Sequence, residues 1–262
     1  MRETGELNVI ESVSRTEIED GTRVLLQVRD LTKRFGDLAA VKGLSFDVES
    51  GEIFGIAGPN GAGKTTLFNL ITGMLPISGG DILFNSKRIT GLRPCQICHK
   101  GIARTFQIPV VFSTMTVIEN IEVAAHFGGR KRQDSRRIVS EILNFVGLRS
   151  KEDLLADNLN LFDKRLTMLA AVLATKPKLL LLDEPIGGLS PSEITQCIAL
   201  LRRIHKELAV TIIIIEHLMK VLTELAQRLL ILRNGEEICI GPPQQVAENK
   251  EVIEAYLGVK HA

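Results

Sequence analysis

The sequence predicts an α/β fold: a mixed sheet, mostly parallel, with an antiparallel β part and an inserted helical part. Three observations carry this prediction. "LLLLD" (179–183) and "VTIIIIE" (210–216) are continuous apolar runs, as expected of parallel strands covered on both faces. A helical stretch (191–207) lies between them, giving the strand–helix–strand order of a parallel crossover. "EIFGIAG" (52–58) is a third apolar run, and it ends in a glycine-rich turn followed by a helix (64–73).

From the N-terminus, residues 1–23 have no apolar core of the kind a secretory signal needs, and their polar composition is that of a disordered extension. "VLLQVRDL" (24–31) and "LSFDV" (44–48) alternate apolar and polar residues, as half-buried antiparallel strands do. The region 92–165 is polar and helix-rich, and it interrupts the strand pattern as an inserted helical subdomain would. "RLLILRNGEEICIG" (228–241) is a hairpin with Asn-Gly at its turn. The expected organisation is one domain over 24–258, carrying the helical subdomain, with a short tail at 259–262.

A chain of 262 residues can bury a sizeable core, and 45% hydrophobic with 24% charged residues is an ordinary globular balance. A net charge of +1 gives no bulk field to recruit nucleic acid or an anionic membrane. The apolar runs are far shorter than the roughly 20 residues a spanning helix needs. Four cysteines do not make a disulfide scaffold, so a reducing cytoplasm is expected. "CQICH" (95–99) formally matches a haem-attachment pattern, but the chain lacks the export signal that chemistry requires. A zinc site would want a second pair, and Cys197 and Cys239 are remote singletons. The basic cluster "GGRKRQDSRR" (128–137) has no interleaved aromatics, so it is no stacking platform for single-stranded nucleic acid. It reads as a solvated helix start, with phospholipid head groups as the alternative.

Gly58, Pro59, Asn60, Gly61, Ala62, Gly63, Lys64 and Thr65, followed by Thr66, fit G-x-x-x-x-G-K-[ST] completely. Glycines let backbone N–H groups turn toward phosphate oxygens, and the helix opening at Lys64 adds its positive end. In this motif Lys64 reaches the β- and γ-phosphates and the Thr65 hydroxyl coordinates Mg²⁺. Asp183, ending the leucine run, is placed to hold Mg²⁺ through water, and Glu184 to polarise an attacking water. His217 ends the isoleucine run, where it can contact the γ-phosphate. Gln107, in "ARTFQ" (103–107), could sense both Mg²⁺ and the attacking water.

"GPNGAGKTT", "ARTFQ", "LLLLDEP" and "IIIIEHLMK", in that order and spacing, resemble the ATPase subunits of ABC transporters over nearly the whole chain from residue 24. "IARTFQIPVVFSTMTVIENIEVA" (102–124) and "EVIEAYLG" (251–258) are similar to the Liv-type ATPases of branched-chain amino acid importers. The resemblance implies a P-loop NTPase core that binds ATP with Mg²⁺. Phe35 takes the place of the aromatic that stacks on adenine, a buried core Phe being the alternative. Gln107 takes the place of the Q-loop residue, Asp183 and Glu184 of the Walker B pair, and His217 of the switch histidine. Ser190 stands where the D-loop usually has Asp or Asn.

Such ATPases work as head-to-tail pairs, each subunit's ATP being closed over by the signature loop of the other. Here the signature slot reads Leu159-Asn160-Leu161-Phe162-Asp163 in place of L-S-x-G-Q. Asn160 could cap the helix and donate to a phosphate oxygen. Phe162 would hinder the close backbone approach that glycine allows. Asp163 would bring negative charge toward phosphate, offset in part by Lys164 and Arg165. The plainer reading is a capped amphipathic helix with Phe162 packed inward and a weakened site. Expected partners are a second, related ATPase in a heterodimer, permease subunits in the membrane and, indirectly, a solute-binding protein outside the cell. The chain would sit at the cytoplasmic face, and nucleic acid is not among its expected partners. The competing reading is a nucleotide-dependent dimerisation module with little turnover.

Overall fold

The computed structural model describes residues 24–128 and 132–257. The expectations for the N-terminal extension 1–23, the tail 259–262 and the middle of the basic cluster (129–131) lie outside the described residues.

β1 (Val24–Phe35) and β2 (Leu38–Glu49) form one long antiparallel hairpin. Both strands run further than their alternation predicts. Pairing of Arg34 with Ala39 and of Phe35 with Leu38 draws the weakly patterned "TKRF" and "LAAV" into the ladder. β4 (Gly79–Phe84) pairs with the other side of β1, and the short β5 (Lys87–Arg88) completes a sheet ordered β2-β1-β4-β5. The paired glycines that open β4 hide it from a propensity reading.

The second sheet is ordered β10-β9-β3-β8-β7-β6, from β3 (Ile53–Ala57), β6 (Ile102–Arg104), β7 (Leu179–Asp183), β8 (Thr211–Ile215), β9 (Arg228–Arg233) and β10 (Glu236–Gly241). All neighbours pair in parallel except the terminal hairpin β9–β10, whose turn places Asn234 and Gly235 at positive φ. This is the conformation that an Asn-Gly hairpin turn requires. β6 lies within the helix-rich stretch yet joins this sheet, pairing with β7.

The helices are α1 (Lys64–Ile71), α2 (Pro94–His99), α3 (Val117–Phe127), α4 (Arg132–Val146), α5 (Leu161–Ala174), α6 (Pro191–Glu207), α7 (Met219–Leu225), α8 (Pro243–Glu248) and α9 (Lys250–Leu257). The continuous apolar runs divide by parity. Leu180, Leu182, Ile212 and Ile214 face a core shared with α3 to α7, while Leu179, Leu181, Ile213 and Ile215 face one shared with α1 and the antiparallel sheet. Each such side chain is fully buried, a gain of roughly 1.5–3 kcal/mol apiece, which explains why no polar residue interrupts either run. Phe46 of β2 stacks on Phe54 of β3 with ring centroids 5.5 Å apart, joining the two sheets. Among the described residues no helix is long and apolar enough to cross a membrane.

Candidate nucleotide site

Parallel strands bring their carboxyl ends to one edge, where open α/β sheets bind ligands. β8 lies between β3 and β7, and β6 flanks β7. The loop after β3, Asp183 and Glu184 after β7, His217 after β8 and Gln107 after β6 therefore share one rim.

Residues 58–63 link β3 to α1. Gly58 (φ 149°) and Gly63 (φ 100°) are the positions where only glycine fits. A Cβ on Gly58 would collide with the Leu232 carbonyl oxygen, and one on Gly63 with that of Ala40. Lys64 is buried, and its ammonium donates to the carbonyls of Gly58 (2.7 Å) and Pro59 (3.0 Å), so its charge is held inside the loop. Burial lowers its pKa, opposed by the nearby Glu184 and Asp183 carboxylates. Thr65 is exposed at the first turn of α1 and Thr66 half-buried.

Glu184 is the hub. Gln107 Nε2 donates to its Oε2 at 2.6 Å, and His217 Nε2 lies 2.6 Å from its Oε1. Three residues singled out from three separate motifs thus meet at one carboxylate. The backbone of Glu184 has φ 48°, an unfavourable conformation for a non-glycine residue. It is held by its N–H on the Ile215 carbonyl (3.0 Å) and by Arg165 Nη1 on its own carbonyl (2.9 Å).

Asp183 is buried and paired with Arg104, whose Nη2 donates to Oδ2 at 2.7 Å. Burial raises the carboxyl pKa, and the Arg104 hydrogen bond and charge oppose that rise. Glu216 is also buried, accepting from the N–H of Ile186 (3.1 Å) and of His217 (3.3 Å). Burial pushes its carboxyl up to about 7. Its two hydrogen bonds tie the turn after β7 to the turn after β8. Arg104, Arg165 and Glu216 escape a motif reading. For Arg104 and Glu216 the signal was a charge at the end of an apolar strand, which is costly to bury unless it is paired, whereas Arg165 lies inside α5 and carries no such signal.

Phe35 is 48% exposed at the end of β1, so the buried-core alternative does not hold. The Lys33 ammonium lies 4.9 Å from its ring centroid.

The signature slot is built differently. Asn160 caps α5, its Oδ1 accepting from the Asp163 N–H at 2.8 Å. Phe162 is partly buried against the core, beside Leu189 and Cys197 in the lining of a small cavity. Asp163 is 6% exposed, and its Oδ2 accepts from Lys151 Nζ at 2.6 Å. The expectation that Lys164 and Arg165 offset its charge is corrected. Lys151 does so, because the Asp163 side chain turns inward. Arg165 instead donates to Glu184 and Gly187, and Lys164 to the Asp157 carbonyl. Among the described residues neither Asn160 nor Asp163 bonds to Lys64, Asp183 or Glu184. Ser190 caps α6 in a reciprocal box with Glu193. In α2, Cys95 is exposed, and His99 Nε2 lies 2.9 Å from the Phe127 carbonyl.

The oxygen donors on this rim are the Asp183 carboxylate, the Thr65 hydroxyl and the Gln107 amide. They form a hard set that suits Mg²⁺ shared with phosphate oxygens. Among the described residues no group of three His, Cys, Asp or Glu side chains forms an all-protein metal cage, the arrangement Mg²⁺ seldom uses.

Comparison with known proteins places this site in context. Residues 41–187 match the ABC transporter family, and residues 236–262 match the branched-chain amino acid ATP-binding cassette transporter family. The chain is 35% identical to the high-affinity branched-chain amino acid transport ATP-binding protein BraF of Pseudomonas aeruginosa, over 90% of this chain and 99% of that one. It is 38% identical to LivG of Escherichia coli, a protein of the same description, over 89% of this chain and 98% of that one. Among solved structures, the ADP conformation of MJ1267, an ATP-binding cassette of an ABC transporter, superposes with a TM-score of 0.82 at 31% identity, covering 91% and 100% of the two chains.

Proposed function

This chain belongs to the ABC transporter family as an ATP-binding cassette that hydrolyses ATP, and on that premise we propose that it powers import of branched-chain amino acids or related small polar solutes. The observation that carries the hydrolytic part is the meeting of Gln107 and His217 on the Glu184 carboxylate, beside the Lys64 loop. The solute class rests on the relatives, which are named for branched-chain amino acid transport, and on the C-terminal match.

In this reading residues 24–258 act as one ATPase domain, with 92–165 as its helical subdomain. Phe35 offers an exposed face for the adenine ring. The N–H groups of Gly58 to Gly63 and the N-terminus of α1 take the phosphates. Lys64 leaves its loop carbonyls for the β- and γ-oxygens. Mg²⁺, when bound, neutralises phosphate charge, and Thr65, Gln107 and, through water, Asp183 are the residues that would hold it. Glu184 accepts a hydrogen bond from the attacking water and so polarises it. Gln107 and His217, already on the two Glu184 oxygens, align that carboxylate, and His217 is free to turn to the γ-phosphate.

Coupling requires a permease. Ile108, Val110 and Phe112 follow Gln107 directly and are largely exposed, as is Phe127 at the end of α3. Val110, Phe112 and Phe127 line a cavity of about 150 Å³ together with Ala124 and Met168. This apolar surface next to Gln107 supports docking of the membrane subunits, with the chain held peripherally at the cytoplasmic face and a solute-binding protein acting outside.

The altered signature favours a heterodimer. This chain's own ATP is closed over by a partner's signature, so Lys64, Asp183 and Glu184 can work fully. Its own Asn160-Leu161-Phe162-Asp163 serves the partner's ATP, and Phe162 and Asp163 are committed to packing and to Lys151. The same commitment motivates the second reading, a dimerisation module with little turnover. ATP turnover of the chain alone, and with a related ATPase having an intact signature, separates the two. The hydrolytic reading expects slow turnover alone and fast turnover in the pair. Fast turnover alone sinks the heterodimer, and no turnover in either sinks the hydrolytic reading.

A further inference from the structure

Arg104 is a buried guanidinium whose contacts reach each element that carries a proposed Mg²⁺ donor. Its Nη2 holds Asp183 Oδ2 at 2.7 Å, with both side chains about 5% exposed or less. Its Nη1 donates to Asn69 Oδ1 at 2.5 Å. Asn69 lies four residues after Thr65 on α1, so the two share a helix face one turn apart. Arg104 itself is the last residue of β6, three before Gln107. The guanidinium lies over the rings of Phe68 and Phe106, with centroids 5.4 and 5.1 Å from Cζ.

This is more than a charge partner for Asp183 requires. A buried ion pair gives up hydration that its attraction regains only with good geometry and further hydrogen bonds. A lysine could neutralise Asp183, but it lacks the planar fork that reaches Asp183 and Asn69 together and presents flat faces to two rings. The fork fixes one Asp183 oxygen. Oδ1 accepts no hydrogen bond among the described residues, so the carboxylate has one oxygen anchored and one directed elsewhere.

We infer that Arg104 is a positioning residue that sets Mg²⁺ affinity by holding Asp183, the Thr65 helix turn and the approach to Gln107 in mutual register. Residues that orient metal-binding groups from behind typically change metal affinity roughly 10–100-fold when removed. The inference rests on the nucleotide site proposed above.

The test is binding of a fluorescent ATP analogue to the full chain, in EDTA and across a Mg²⁺ titration, with thermal melting alongside. Arg104→Met should raise the half-saturating Mg²⁺ concentration roughly 10–100-fold while affinity in EDTA is retained. Arg104→Lys, which keeps the charge and loses the fork, should fall between that variant and the wild type. Asn69→Ala, which leaves the Arg104–Asp183 pair in place, should shift the same midpoint by a smaller factor. If Arg104→Met does not fold, the other two variants decide. A lowered melting temperature with an unmoved Mg²⁺ midpoint in Arg104→Lys and Asn69→Ala overturns the inference, leaving Arg104 a structural pin. Equal weakening with and without Mg²⁺ overturns it as well. Failure of the wild type to bind the analogue under either condition is a different result, which sinks the nucleotide site itself.

Discussion

The rim of the parallel sheet and the start of α5 use the same residue types to opposite ends. At the rim, polar side chains from distant motifs point at one another across strands: Gln107 and His217 meet on Glu184, and Lys64 waits on its own loop carbonyls. At α5 the polar groups are satisfied locally, Asn160 on its own helix and Asp163 on Lys151. Asn160 Oδ1 is taken up by its own helix and the buried Asp163 carboxylate by an ion pair, so neither oxygen is left to offer a ligand. Gln107 and His217 are exposed and can exchange their bonds on Glu184 for a substrate's. The contrast supports an ATPase whose own site is complete and whose contribution to a partner's site is weak.

The largest expected effect comes from breaking the first region. Glu184→Gln removes the carboxylate proposed to polarise water but keeps an amide of nearly the same shape. Turnover in the pair with a related ATPase should fall roughly 10²–10⁴-fold, the usual worth of a general base, while ATP binding persists and the closed dimer accumulates. Phosphate release and size-exclusion chromatography with ATP measure both. Unchanged turnover removes Glu184 from catalysis and leaves the rim a binding site only.

A second prediction concerns what holds that rim together. Glu216 has a folded pKa of about 7, above its ordinary value of 4.5. The native state therefore holds the proton more tightly than the unfolded chain does. The stabilising contribution of the protonated form is complete below about pH 4.5 and is lost as pH rises through about 7. Glu184 nearby raises this pKa, Arg165 opposes it, and Cys197 is pushed up to about 12 in the same cluster. Glu216→Gln cannot ionise, so its stability relative to the wild type should improve by at most about 3 kcal/mol between acid and pH 8. Denaturant unfolding at several pH values reads this, and a pH-independent difference refutes it. The glutamine offers one acceptor where Glu216 serves two N–H groups, so a constant loss of about 1 kcal/mol should accompany it.

Much of the first region was legible from the chain itself, and little of the second. Gly58 to Lys64, Asp183, Glu184 and His217 follow continuous apolar strands, and the parallel pairing expected of such runs brings those ends to one edge. The Arg104–Asp183 pair and the Glu216 bridge were not legible. They depend on which strands become neighbours, and β6 pairs with β7 across more than seventy residues of chain. Asp163 shows the same limit. Adjacent Lys164 and Arg165 look like its partners, but helix geometry turns them to other carbonyls and leaves Lys151, twelve residues back, as the counterion.

Repairing the second region should have an intermediate effect. Phe162→Gly with Asp163→Gln restores the small residue and neutral amide the slot ordinarily holds. Turnover of the chain as a homodimer should then rise, by up to roughly 10²-fold if the loop regains donors to phosphate. The double variant should also melt lower, since Phe162 leaves the core and Lys151 loses its partner. If turnover stays flat while the fold survives, more than these two side chains disables the loop.

The smallest effect is the most discriminating, because it asks what Asn160 does. As the cap of α5 it satisfies the Asp163 N–H, and Asn160→Ala should cost about 1 kcal/mol by denaturant unfolding. Asn160→Asp caps equally well and complements the helix dipole, so stability should be kept or slightly raised. The two roles separate in the proposed heterodimer. If Asn160 only caps, the aspartate variant leaves hydrolysis at the partner's site untouched. If its amide also donates to that ATP, replacing the donor with a negative charge must slow the partner's site while the helix stays intact. Glu184→Gln in this chain silences its own site and leaves only the partner's site, the one that Asn160 would face. Its residual turnover then reports whether a helix cap is also a phosphate ligand.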